Sequence, residues 1–242
     1  VNYYLITNKA YKPIITAPNV LVVEQNEFSQ LISKCESFID LDVVNACEYT
    51  NSFNFVEIFN KKLGYKLFPK HFNWEIKYKK EDMEYVKQIS KSYVKHKKRL
   101  YMQFNGSGPI KTLKVKTIVK FINILLEEGW AIALMHHGFV DLGIDHPRFF
   151  NFTSQTRIEH IVPMIEISTA IYSMDSSICM FANCTKNVKD QFLFVVTGPN
   201  LGYPKAGYHP NGHHINLSYR YKTKDGSPCY PCFETTERCG FK

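Results

Sequence analysis

From residue 99 onward the chain alternates short apolar runs with amphipathic stretches, and that alternation leaves few folds open. The run Trp130-Ala-Ile-Ala-Leu-Met135 carries no charge and no hydroxyl. Such a strand is buried on both faces, as in a parallel sheet covered by helices. The stretch before it, residues 111–128, places Leu113, Ile118, Phe121, Ile122 and Leu125 on one helical face and stops at Gly129. Residues 100–104, 149–152, 169–174 and 192–196 read as further strands. Residues 158–168 read as a helix that Pro163 kinks or divides, and another helix ends near Ala182. Strand, helix and strand in repetition imply βαβ units and an α/β fold.

The first part of the chain carries a shorter series of the same kind. Residues 1–7, 20–23 and 38–44 are strand-like, and 27–35 and 52–63 helix-like, the latter ending at Gly64. Residues 65–99 form a polar, lysine-rich bridge with a helix expected over 81–95. From Asn200 the chain is rich in Gly, Pro, His and Tyr and reads as loop.

Hydrophobic residues make up 45% and charged residues 21%, enough apolar material for a sizeable core. No apolar run approaches the roughly 20 residues that span a bilayer. The best candidate, residues 161–181, is interrupted by Pro163, Glu166 and Asp175. Residues 1–5 lack the basic start and apolar stretch of an export signal, so a cytoplasmic protein without a transmembrane segment is expected. Much of the formal charge of +8 falls in two runs, 61–80 and 87–99. It suits an anionic partner (a sugar nucleotide, a lipid headgroup or a nucleic acid) or a solvated helix face.

In an open parallel sheet, ligands bind beyond the carboxyl ends of the strands. Three loops leave expected strands in that direction. In the first, Asn105, Gly106, Ser107 and Gly108 let backbone amides approach a phosphate, and the following helix offers its positive end. Lys111 adds a mobile cation suited to a diphosphate. The glycine spacing is not that of a Walker loop, and a plain turn with a solvated lysine fits the same pattern. The second loop is Asp175-Ser176-Ser177. Asp175 or Ser176 is suited to cap the next helix; alternatively, the same amides hold a diphosphate with Asp175 near sugar hydroxyls. In the third, Gly198 permits a turn or a close backbone approach. His136, His137 and Asp141 follow another strand and fit either a ligand contact or a polar loop.

Of the seven cysteines, Cys35, Cys47, Cys179 and Cys184 lie among apolar neighbours and read as reduced core residues. Cys229, Cys232 and Cys239 cluster late in the chain. They fit a metal knuckle of three thiolates, with Cys184, His209, His213 or His214 as candidates for the fourth ligand. Free thiols or one disulfide fit the same spacing.

Taken in order, these segments resemble glycosyltransferase family nine, the ADP-heptose:lipopolysaccharide heptosyltransferase type. Arg99 through the glycine loop and Lys111 to Leu134 resembles the first strand, phosphate loop, helix and second strand of the donor lobe. Residues 165–177 resemble the segment ending in Asp, Ser or Thr, and Gly before a donor-facing helix. Residues 194–199 resemble the following strand and its Gly-Pro turn, and 53–65 the link between lobes. The likeness runs from about residue 20 to 199.

The resemblance implies a GT-B fold of two Rossmann-like lobes with parallel sheets, the N-terminal one incomplete because the family's Gly-rich acceptor loop has no counterpart. Residues 1–95 are then a partial acceptor-side lobe with its linker, and 96–242 the nucleotide-sugar lobe with a Cys-rich tail. The implied activity is transfer of a sugar, with inversion, from a nucleotide-diphosphate donor to an acceptor hydroxyl on a glycan, lipopolysaccharide, protein or modified DNA. Lys111 would contact donor phosphate, and Asp175 and Ser176 the sugar or its diphosphate. The chain departs from the pattern at Ser177, where the family has Gly, and at Met180, where it usually has His. No catalytic base is assigned. Some members carry a late cysteine cluster that binds iron, so iron joins zinc as the ion expected at the tail. Two other functions stay open: a non-catalytic nucleotide-sugar-binding module, and a metal-stabilised nucleic-acid-binding protein.

Overall fold

The computed structural model describes residues 3–6, 20–35, 76–104, 113–136, 138–174, 176–197, 209 and 211–216. Near the N-terminus, β1 (Tyr3–Ile6) and β2 (Val20–Val23) pair in parallel with Tyr3 opposite Val20, and α1 (Gln25–Leu31) follows. The strand expected over 38–44 and the helix expected over 52–63 lie outside the described residues. Among the described residues this two-stranded sheet stands where a first Rossmann-like lobe is expected, and a complete second lobe is not seen.

The rest forms one six-stranded, all-parallel sheet. In chain order its elements are α2 (Lys80–Ile89), β3 (Arg99–Gln103), α3 (Val115–Glu127), β4 (Ala131–Leu134) and β5 (Phe149–Asn151). Then come α4 (Ile161–Glu166), β6 (Ala170–Met174), α5 (Ser177–Ala182), β7 (Phe192–Thr197) and β8 (Gly212–Asn216). The spatial order is β5-β4-β3-β6-β7-β8. The chain starts at β3 in the middle, winds out through β4 and β5, returns past β3 and winds out the other way. This is the doubly wound Rossmann order, and its direction reverses between β3 and β6.

Side chains alternate between two packed layers. Leu100, Met102 and Phe104 join Ile132 and Leu134 of β4 and Tyr172 and Met174 of β6 under Ile118, Ile122 and Leu126 of α3. Tyr101, Ala133, Ile171, Leu193 and Val195 point the other way, against Val86 of α2, Val162 and Ile165 of α4 and Ile178 of α5. Every residue of β4 and β6 is buried. Helix cover on both faces explains why the strand sequences are almost wholly apolar. Each buried Val, Leu, Ile, Phe or Met side chain contributes about 1.5–3 kcal/mol by leaving water.

Helix ends follow local chemistry. Gly129, at φ 87°, ends α3 in a Schellman motif. Its amide binds the Leu126 carbonyl (3.1 Å) and that of Trp130 binds the Leu125 carbonyl (3.0 Å). Several expected boundaries move. The helix expected over 81–95 ends at Ile89, where the Ser90 hydroxyl donates to the Val86 carbonyl (2.6 Å), and a separate 3-10 turn covers Tyr93–Lys95. Pro163 neither kinks nor divides α4; it lies in the first turn, where a missing amide costs no bond, and the break falls earlier, after the 3-10 turn Ile158–His160. The tail is not all loop, because β8 pairs with β7, His213 opposite Phe194.

Candidate functional site

The strand order turns three separate loops into neighbours. Gln103 at the end of β3 is opposite Ser173 of β6, and Met174 at the end of β6 is opposite Val196 of β7. Adjacent strands lie about 4.8 Å apart. The chain therefore leaves β3, β6 and β7 side by side at the carboxyl edge, with the β3/β6 pair at the switch point where open α/β sheets bind ligands. Asn105, Gly106, Ser107, Gly108, Lys111, Asp175 and Gly198 lie outside the described residues, but residues bounding each loop are described.

The first loop is closed at its base. Leu113 donates its amide to the carbonyl of Phe104 (3.1 Å), which ties together the two described residues that bound it. This bond also corrects the helix start, from residue 111 to Val115. Lys114 occupies the N-cap of α3 without a side-chain cap hydrogen bond, and no acid lies in the first turn. Lys114 and Lys116 are exposed there. Cations at a helix N-terminus oppose its dipole by roughly 0.3–1 kcal/mol each. An anion placed there would be attracted by the dipole and by both lysines.

At the second loop, the two serines have different roles. Ser176 Oγ accepts the Ile178 amide (3.3 Å) and shares a hydrogen bond with Ser173 Oγ (3.1 Å). It is the cap of α5. Ser177 is exposed at the helix start. Beside these loops, the ring of His136, just beyond β4, lies 5.6 Å from that of Phe104. Asp141 accepts the Gly143 amide (2.8 Å) in a local turn.

Sequence patterns missed Phe139, which is 70% exposed in the same post-β4 loop. Val140 anchors that loop: its amide donates to Thr153 Oγ1 (3.2 Å) and its carbonyl accepts from Asn151 Nδ2 (2.6 Å). The available signal was a lone aromatic after Gly138, with nothing local to show that β5 would hold it.

Cys229, Cys232 and Cys239 lie outside the described residues, and among the described residues no group of three His, Cys, Asp or Glu side chains is placed to hold a metal ion. Of the proposed fourth ligands, Cys184 is buried, which pushes its thiol up to about 11. His209 is buried and pushed down to about 4, by burial first and by nearby His213 second. Its Nδ1 accepts the Asn211 amide (3.2 Å). No helix among the described residues is long and apolar enough to cross a membrane.

The strand order and the loop-bearing carboxyl edge define a doubly wound α/β protein of Rossmann type. Its fold is shared with the crystal structure of a glycosyl transferase family 9 protein from Veillonella parvula, at a TM-score of 0.63 over 90% of this chain and 78% of that one, with 11% sequence identity. By this match the fold is GT-B-like. Two E. coli structures, the ADP-heptose LPS heptosyltransferase II and the heptosyltransferase WaaC with ADP, give TM-scores of 0.47 and 0.44 at 16% and 15% identity. They cover 68% and 67% of this chain, which spans 50% and 48% of theirs. No family model matches the sequence, and no curated protein sequence does.

Proposed function

We propose that the chain is a nucleotide-sugar-dependent glycosyltransferase, with residues 96–242 as its donor-binding lobe and 1–95 as part of an acceptor-side lobe of the GT-B architecture. One observation supports this most: the two loops with phosphate-binding character leave adjacent strands at the point where the sheet reverses direction. The donor diphosphate sits over the amides of Asn105, Gly106, Ser107 and Gly108, with the Lys111 ammonium against its oxygens. Asp175, Ser176 and Ser177 lie toward the sugar, and Gly198 leaves room for the backbone beside it. Ser176 acts through its cap, by shaping the loop, and Ser177 supplies the free hydroxyl.

In the reaction, an acceptor hydroxyl attacks the anomeric carbon, the bond from that carbon to the diphosphate oxygen breaks, and configuration inverts. Charge develops on the departing diphosphate. Lys111 and the loop amides stabilise it where it forms. The lysines at the start of α3 add to the same field. The proton of the acceptor hydroxyl passes to a base outside this constellation.

Calorimetry with UDP-, GDP- and ADP-sugars tests the binding, and release of free nucleoside diphosphate in the presence of acceptor tests the transfer. Binding of one donor class with release supports the enzyme. Binding without release in every acceptor mixture leaves a nucleotide-sugar-binding module. Failure to bind any sugar nucleotide removes the proposal.

A further inference from the structure

A second concave site lies at the opposite, amino-terminal edge of the sheet. It is a groove of about 520 Å³ lined by Tyr78, Met83 and Ile167 and by the basic side chains Lys80, Lys87 and Lys186, with Glu166 and Asn187 at its wall. Ile167 lies just before β6, and Asn187 before β7. A strand of five residues spans roughly 16 Å, so the groove is separated from the donor edge by the length of the sheet.

Among the described residues, the one acid in the groove is already engaged. Tyr78 donates its hydroxyl to Glu166 Oε2, and the Lys186 amide donates to Oε1 (3.3 Å). Burial and the Glu166 carboxylate both raise the Tyr78 phenol above its ordinary value, so it stays a donor. Asn187 Nδ2 binds the Glu166 carbonyl (3.2 Å), which fixes the turn carrying Lys186. The Lys186 ammonium is held 5.7 Å from the centre of the Tyr78 ring. Lys80 has an exposed partner in Glu84 at 3.6 Å. Lys87 and Lys186 have no ion pair among the described residues.

Lys87 and Lys186, from two separate segments, thus line one concavity together with Tyr78, Met83 and Ile167. We infer that this groove is a second ligand site, separate from the donor pocket, for a small phosphate-bearing molecule. Lys87 and Lys186 contact the phosphate, and the rest of the ligand lies on Tyr78, Met83 and Ile167. The inference does not depend on the donor reading.

The test is calorimetry with inorganic pyrophosphate on the full chain carrying Lys111→Ala, which weakens the donor edge. One binding event should remain, and adding Lys87→Ala and Lys186→Ala should weaken it at least tenfold. Both lysines are exposed, so the fold should survive. Adding Lys95→Ala and Lys97→Ala instead makes the same charge change outside the groove and should leave binding within about twofold. Undiminished pyrophosphate binding without Lys87 and Lys186 would overturn the inference, as would an equal loss from the Lys95 and Lys97 pair. If Lys111→Ala alone changes nothing while the groove variant loses binding, the groove stands and the donor proposal is what fails.

Discussion

Gln103 of β3 and Ser173 of β6 are register partners across the centre of the sheet, so the chain exits the two strands one strand spacing apart. Everything proposed for the donor follows from that pairing. A loop rich in small residues and a loop with an acid and two serines, 70 residues apart in the chain, start from the same spot.

Lys111 is therefore expected to carry the largest share of diphosphate recognition. A hydrogen bond to a charged group is worth about 1.5–3 kcal/mol, so Lys111→Ala should weaken donor binding roughly 10- to 100-fold. Isothermal titration with the preferred sugar nucleotide measures it. Lys111→Arg should retain more affinity than Lys111→Ala.

The two serines of the second loop should separate stability from binding. Ser176→Ala removes the α5 cap and should cost about 1 kcal/mol in urea unfolding. Ser177→Ala, at an exposed position, should stay within about 0.5 kcal/mol of the parent. Its effect should appear in donor binding instead.

Gly129→Ala should destabilise the chain by about 1–2 kcal/mol, the cost of placing a side chain in left-handed backbone. Gly129 sits at φ 87° with no neighbour within 4 Å of an added Cβ, so the penalty is conformational and not a clash. Gly129→Asn should recover part of it, because Asn tolerates this region. Chemical denaturation of the three proteins distinguishes them.

Stability should fall as pH drops from about 6.5 toward 4. His209 has its folded-state value pushed down from 6.5 to about 4, so between these values the unfolded chain binds the proton and the folded chain does not. By linkage, that window costs up to about 3 kcal/mol from this one residue. His160 is also lowered, chiefly by burial, and adds in the same direction. Urea unfolding across the window should show the slope, and His209→Leu should make it shallower even if it lowers stability at pH 7.

Much of the sheet was legible because burial on both faces leaves a strong local mark. The runs at β4, β6 and β7 are apolar at almost every position, the centre of β3 is apolar between Arg99 and Gln103, and Gly129 announces the end of α3. β8 left no such mark. Its sequence, Gly-His-His-Ile-Asn, belongs to a strand that, among the described residues, pairs only with β7, and His213 and Ile215 are exposed. The start of α3 was misplaced because the Leu113–Phe104 bond is made between elements and has no trace in helical periodicity.

The candidate site divides along the same line. Small residues after a strand pointed to loops at the carboxyl edge. The convergence of those loops depends on strand order, which is set by the long return from β5 to β6 and is written in no single segment. Phe139 was missed for a similar reason, since its loop is held by Asn151 at the end of β5 and by Thr153 just after it.

The most direct measurement is a crystal structure of the chain bound to the nucleoside diphosphate that it releases. The account predicts the two phosphates over residues 105–108, with the Lys111 ammonium within hydrogen-bonding distance and Asp175 on the side where the sugar was attached. A diphosphate bound elsewhere, or Lys111 and Asp175 on opposite sides of the molecule, would contradict it.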